Sequence, residues 1–287
     1  MEQGRTPYAT ELEIAIAAAK EAAIAIRDLY DRSAAESYIK GDGSPVTDAD
    51  LASDRIIRRH LTTAFPDDAI LTEEGADDQR RLAAARCWVV DPIDGTQQFI
   101  ERTGNFDILI ALVIDHRPVA GLLLQPTTST LLTATLGGGA WIELDGIRRP
   151  LRFGPASAAP RLVTSIWLGA PENLPFLDRI TTRMGSPTAS VSPLGITVRT
   201  FVPPDNEFDV LIGLDVSGKQ SMAWEWDFAA ADIVVHEGGG VITDVDGNLH
   251  RYNKPVPRNL NGIVLAVDAR SHAATLNAIV AERAAVR

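Results

Sequence analysis

The stretch Trp88-Val89-Val90-Asp91-Pro92-Ile93-Asp94-Gly95-Thr96 decides how this chain is read. Cys87 and the apolar residues after it read as a strand buried on both faces. The strand ends abruptly at Asp91, and Asp94 follows three positions on, across a proline-bent turn. Gly95 lets a backbone come close to a ligand, and Thr96 offers a hydroxyl where a helix can begin. Carboxylates at a strand end suit a hard divalent cation, which prefers oxygen donors. Pro92 has no N–H to donate, and its neighbour Ile93 has a carbonyl to turn toward the same ion. Taken alone, an Asp-Pro turn backed by an Asp-Gly tight turn explains these residues equally well. The nine residues together are far more specific than any dipeptide within them.

Upstream, apolar residues from Leu12 to Tyr30 recur in steps of four and three, which predicts an amphipathic helix over residues 10–33. A loop from Lys40 to Pro45 precedes a second predicted helix. There Thr47 and Asp50 have the form of a capping box, and the helix runs to about Ala64, ahead of Pro66. Residues 69–72 read as a short strand that delivers Glu73 and Glu74. Downstream, strands are predicted over 108–114, 119–125 and 130–135, followed by a glycine turn at 137–139. The Pro-, Gly- and Ala-rich stretch 148–160 is the candidate boundary between an N-terminal α+β subdomain, 1–152, and a C-terminal α/β subdomain, 153–287. Beyond it, strands are predicted over 161–166, 209–214, 241–243 and 262–267. One helix is predicted to open at Asp227 and close at Gly238-Gly239-Gly240, and another to run over 271–287. Helices and strands are mixed, as in an α/β fold.

The chain has 287 residues, of which 45% are apolar, so it can bury a sizeable core. Its net charge of −11 makes it a poor partner for nucleic-acid polymers or anionic membranes. No apolar run is long enough to span a bilayer, and no signal-peptide h-region follows Met1. With Cys87 as its single cysteine, the chain is expected to be cytoplasmic. Electrostatics oppose any phosphorylated ligand unless a metal, a helix N-terminus or placed cations reverse the local potential.

Other acids have competing explanations. Glu73 and Glu74 also suit a solvated loop, because Asp77 and Asp78 follow. Asp50 is accounted for by its capping box. Asp227 is accounted for as a helix N-terminal acid, worth under about 1 kcal/mol. Its flanking Trp226 and Phe228 favour partial burial, and a buried acid needs a partner. The five histidines are scattered without ligand spacing and read as surface or structural residues.

These segments resemble the lithium-sensitive, magnesium-dependent phosphatase superfamily of inositol monophosphatase. The matching blocks are Lys40 to Asp50, Trp88 to Thr96, and Trp224 through Asp227 to Gly239, with Thr72-Glu73-Glu74 between the first two. The resemblance implies a layered α-β-α-β-α sandwich of the inositol monophosphatase or fructose-1,6-bisphosphatase type. It implies two or three Mg2+ ions held by Glu73, Asp91, the Ile93 carbonyl, Asp94 and Asp227, with Lys40 nearby. Gly95 and Thr96 would present N–H groups to the phosphate. Thr96, hydrogen-bonded to Asp50, would polarise the attacking water that Glu73 helps orient. A homodimer is implied by the family alone.

Two metals can stabilise both oxygens of an in-line displacement, so hydrolysis needs no Ser, Cys or His nucleophile. The segments Phe99 to Phe106 and Ile110 to Val113 look most like bacterial 3′(2′),5′-bisphosphate nucleotidases, which remove the 3′-phosphate of adenosine 3′,5′-bisphosphate. Gln97-Gln98 departs from the Lys-Glu pair usual there, and residues 190–206 match no known pattern. Inositol-phosphate and histidinol-phosphate phosphatases share the metal loop, as would a pathway-specific small-molecule phosphatase. A non-catalytic phospholigand-binding protein is the alternative of a different class.

Overall fold

The computed structural model describes residues 6–33, 35–41, 43–165, 168–192, 195–202, 208–216 and 223–285. Five layers stack as α-β-α-β-α. Helices α1 (Ala9–Arg32) and α2 (Asp48–Ala64) cover one face of a seven-stranded sheet. In order across that sheet, the strands are Ala69–Thr72, Arg86–Asp94, Asp107–Ile114, Arg117–Gln125, Thr130–Thr135, Gly139–Leu144 and Ile147–Leu151. The first two are parallel and the rest antiparallel. The short helix α3 (Thr96–Ile100) follows the second strand. Beyond the central layer, a five-stranded sheet is backed by α4 (Leu174–Met184) and α6 (Ala269–Ala285), and α5 (Ala229–Glu237) lies between the two sheets.

Strand periodicity explains the layering. Trp88 and Val90 point into the core under α1 and α2, whereas Cys87 and Val89 point toward α5. Both faces are therefore apolar, which is why this segment reads as a continuous hydrophobic run. The alanine-rich face of α1 (Ala15, Ala18, Ala19, Ala22) packs close to its neighbours. Helix α5 is small-faced for the same reason: a Cβ on Gly121 would meet Ile233 Cγ2 at 2.7 Å and the Ala230 Cα at 3.2 Å.

Several boundaries differ from the sequence reading. The strand predicted to stop at Asp91 continues to Asp94, with a register shift between those two residues. Pro92 cannot donate to the ladder, so the strand passes it as an irregularity rather than ending. The candidate boundary stretch 148–160 begins within the edge strand Ile147–Leu151, where Pro150 is tolerated because one side of the strand is unpaired. The next strand, Leu162–Ser165, belongs to the second sheet. Helix α4 has no counterpart among the predicted elements. Helix α5 begins at Ala229, so Asp227 lies in the turn ahead of it. Ile166, Asp42, residues 286–287, and residues 193–194 and 203–206 of the segment 190–206 lie outside the described residues. Among the described residues no helix is long and apolar enough to cross a membrane.

Candidate active site

The parallel pairing of Ala69–Thr72 with Arg86–Asp94 brings Glu73 beside Asp91, since Leu71 pairs with Val89 and Thr72 with Val90. Both strands end at the mouth of one cleft of about 470 Å3. Its walls include Lys40, Glu73, Asp91, Ile93, Asp94, Gly95, Thr96 and, from across the molecule, Asp227. The chain thus collects in one place every predicted site residue except Asp50, which stands directly behind Thr96.

The supporting hydrogen bonds are local. Thr47 caps α2, and Asp50 Oδ2 accepts from Thr47 N at 2.8 Å and Thr47 Oγ1 at 2.6 Å. This leaves Asp50 Oδ1 to accept from Thr96 Oγ1 at 2.9 Å. Asp91 Oδ1 accepts from Ile93 N at 3.0 Å, which curls the turn back on itself. Gly95 has φ of +95°, and a Cβ there would meet the Asn105 carbonyl oxygen at 3.0 Å, so both backbone conformation and space call for glycine. Asp227 Oδ2 accepts from Trp224 N at 2.7 Å. Lys40 Nζ bridges Glu73 Oε1 at 2.6 Å and Glu74 Oε1 at 2.7 Å, so Glu74, outside the ligand set that the resemblance implies, joins the site.

The electrostatics are those of crowded, desolvated acids. Burial pushes Asp91 well above the usual carboxylate range, and the charges of Glu73, Asp94, Asp227 and Asp50 push it further. Burial does the same to Asp94, with Asp227, Asp107 and Glu73 adding to it. Burial raises Asp227 to about 7, although the Trp224 N–H favours its ionised form. Asp50 is raised by burial against the pull of its hydrogen bonds to Thr47 and Thr96. Burial takes Glu74 to about 7 despite Lys40. Burial pulls the Lys40 ammonium down, but the two glutamates hold it above its usual value.

Such an acid cluster asks for cationic charge beyond one lysine, and its donors are all oxygen, which fits a hard divalent ion. Among the described residues no three His, Cys, Asp or Glu side chains are grouped closely enough to cage a metal.

Three contributors went unread in the sequence. Ser53 Oγ donates to the Pro92 carbonyl at 2.9 Å. Asp54 accepts from Thr72 Oγ1 at 2.7 Å. With Asp50 they make a polar stripe on the buried face of α2 that continues into Ile57 and Leu61. Polar residues in register with core residues were the available signal. The third, Asp107, is opposite Asp94 in the ladder and accepts from Val198 N at 2.6 Å. Burial raises it to about 7. Only the strand register reveals that one.

A layered fold with an oxygen-lined acidic cleft at its strand ends defines the class of site, one suited to divalent cations. The chain belongs to the inositol monophosphatase family, whose description matches residues 8–284. It is 32% identical over 254 residues to the 3′(2′),5′-bisphosphate nucleotidase CysQ of Aggregatibacter actinomycetemcomitans, covering 85% of this chain and 87% of that one. It is 29% identical over 241 residues to inositol monophosphatase 2 of Solanum lycopersicum, covering 83% and 88%. The crystal structure of CysQ from Bacteroides thetaiotaomicron shares the fold, with a TM-score of 0.71 at 24% identity over 92% of this chain and 99% of that one.

Proposed function

We propose that the protein is a magnesium-dependent phosphomonoesterase that removes the 3′-phosphate of adenosine 3′,5′-bisphosphate or a related nucleotide by attack of water. The similarity to a bisphosphate nucleotidase over 85% of the chain carries the choice of substrate. Convergence of Glu73, Asp91, Asp94, Thr96 and Asp227 on one cleft supports the chemistry.

Glu73, Asp91, the Ile93 carbonyl, Asp94 and Asp227 would hold the divalent ions. Bound there, the ions would polarise the phosphoryl oxygens and acidify a water. The remaining work falls to this chain's own groups. Thr96 Oγ1 gives its proton to the hydrogen bond with Asp50, so its lone pairs face the cleft and accept from the attacking water. The water proton passes to Thr96 as the Thr96 proton moves to Asp50, whose proton affinity is raised by burial. Glu73 orients the same water. Gly95, which has no side chain to block the approach, and Thr96 present backbone N–H groups to the phosphate.

A phosphate-release panel tests this: adenosine 3′,5′-bisphosphate, inositol phosphates, histidinol phosphate and fructose bisphosphate, each with Mg2+ and with excess chelator. The bisphosphate nucleotide should be the best substrate, and chelation should abolish turnover. Turnover that persists in chelator rejects the metal chemistry. Gln97 and Gln98 place neutral amides in the cleft, which favours hydroxyl-rich substrates as the second reading. In that case inositol phosphate or histidinol phosphate leads the panel.

A further inference from the structure

One wall of the cleft is a column of stacked groups. Trp226 and Trp224 both line the cleft, and their rings stack with centroids 4.8 Å apart and planes 7° from parallel. The Arg258 guanidinium lies over the Trp224 ring, 4.0 Å from its centroid. Trp226 already covers one face of Trp224, so a group this close must occupy the other. Exposure rises along the column: Trp226 is buried, Trp224 half-buried and Arg258 exposed. The column therefore runs from Trp226, next to Asp227, outward to an exposed guanidinium stacked on a ring that lines the cleft.

Its geometry is built in. Trp224 and Arg258 are direct partners in an antiparallel ladder, so their side chains share a face. The buried Glu225 clamps that ladder's return loop, accepting from Asn253 N at 2.6 Å and Lys254 N at 3.2 Å. Glu225 N in turn donates to the Pro257 carbonyl at 3.0 Å. Among the described residues, no carboxylate pairs with Arg258. Lys40, the one cation lining the cleft among the described residues, is held by Glu73 and Glu74. A guanidinium stacked by its face keeps its N–H edge free, and that edge matches a phosphate bidentately. In a chain of net charge −11, such a cation stacked on a wall residue of an acidic cleft is placed to receive an anion.

We propose that Arg258, carried on the Trp224–Trp226 column, is a specificity-determining residue that receives a second phosphate of the substrate, distinct from the one hydrolysed. The proposal rests on the phosphomonoesterase reading above, and it predicts a preference for bisphosphorylated over monophosphorylated esters.

The test compares wild type, Arg258→Gln and Arg258→Lys on adenosine 3′,5′-bisphosphate and adenosine 3′-monophosphate, which differ only in the second phosphate. Phosphate release is read as kcat and KM. Arg258→Gln should lower kcat/KM on the bisphosphate by roughly 10- to 100-fold, mainly through KM, and change the monophosphate by less than about twofold. Arg258→Lys should recover part of the loss, because it keeps charge but not the bidentate edge. An equal fall on both substrates assigns Arg258 a structural role and overturns the proposal, as does an unchanged bisphosphate KM. If wild type turns over neither nucleotide, the nucleotide reading fails by itself. The same variants are then compared on fructose 1,6-bisphosphate against fructose 1-phosphate, and on inositol bisphosphate against inositol monophosphate. A wild-type enzyme with no preference for the second phosphate in any pair overturns the Arg258 assignment.

Discussion

Replacing Thr96 by valine removes one hydroxyl and keeps the shape of the side chain. Thr96 is 8% exposed and its Oγ1 donates at 2.9 Å to Asp50, which is 1% exposed. A hydrogen bond to a buried charged group contributes about 1.5–3 kcal/mol, and each 1.36 kcal/mol of barrier is tenfold in rate. If the bond serves water activation, kcat should fall by roughly 10- to 150-fold while KM moves by less than about threefold. Asp50 should stay in place, because Thr47 N and Thr47 Oγ1 still hold its other oxygen. Thr96→Ser keeps the hydroxyl and should retain most of the turnover. Steady-state phosphate release with saturating Mg2+ measures both constants, and circular dichroism checks the fold. A valine variant with wild-type kcat, or one whose whole defect sits in KM, refutes the role given to this hydroxyl.

Asp91→Asn should abolish turnover yet raise the melting temperature of chelated protein at pH 8 by roughly 2–4 °C, because it relieves repulsion among buried acids. Calorimetry showing a lower melting temperature would contradict that. Stability of the chelated protein should also fall with pH. Asp227 and Glu74 are pushed up to about 7, so the folded chain holds protons that the unfolded chain gives up near 4. Their contribution is full below about pH 4 and is lost as pH rises through about 7. Thermal unfolding in chelator should therefore weaken from pH 5 to 8, and Mg2+ should reverse the trend. A flat or rising profile in chelator counts against the acid cluster. Far from the site, Arg117 donates to the buried Asp232 at 2.7 Å and to the His250 carbonyl at 2.5 Å. Arg117→Ala leaves Asp232 with Tyr252 and His236 but no arginine, and should lower unfolding free energy by about 3–5 kcal/mol in urea titrations. A loss under about 1 kcal/mol would show the pair to be dispensable.

Much of the fold was legible because its signals are short-range. The capping box at Thr47, the period of α1 and the apolar run ending at Asp91 are each readable within a few residues. The edge strand Ile147–Leu151 was not, because its residues are mostly exposed and carry a proline that local rules count against a strand. Helix α4 escaped because Pro175 and neighbouring loop-like residues mask its start, although its face of Phe176, Leu177 and Ile180 is buried. In the site, Asp91 and Asp94 stood out by composition and turn chemistry. Asp107 did not: its place opposite Asp94 comes from strand register.

The amino-acid sequence by itself determined which groups are available: an oxygen-rich turn after a buried strand, capped helices, and an acidic chain that needs cations to meet a phosphate. Tertiary structure alone decided which of them meet. Lys40 reaches Glu73 and Glu74, Thr96 reaches Asp50, and Arg258 lies on Trp224, across separations of 33, 34, 46 and 34 residues, respectively. Local preferences act over a turn or two of chain. Contacts between distant segments are set instead by sheet register and by which faces the core buries, and no residue carries that information alone.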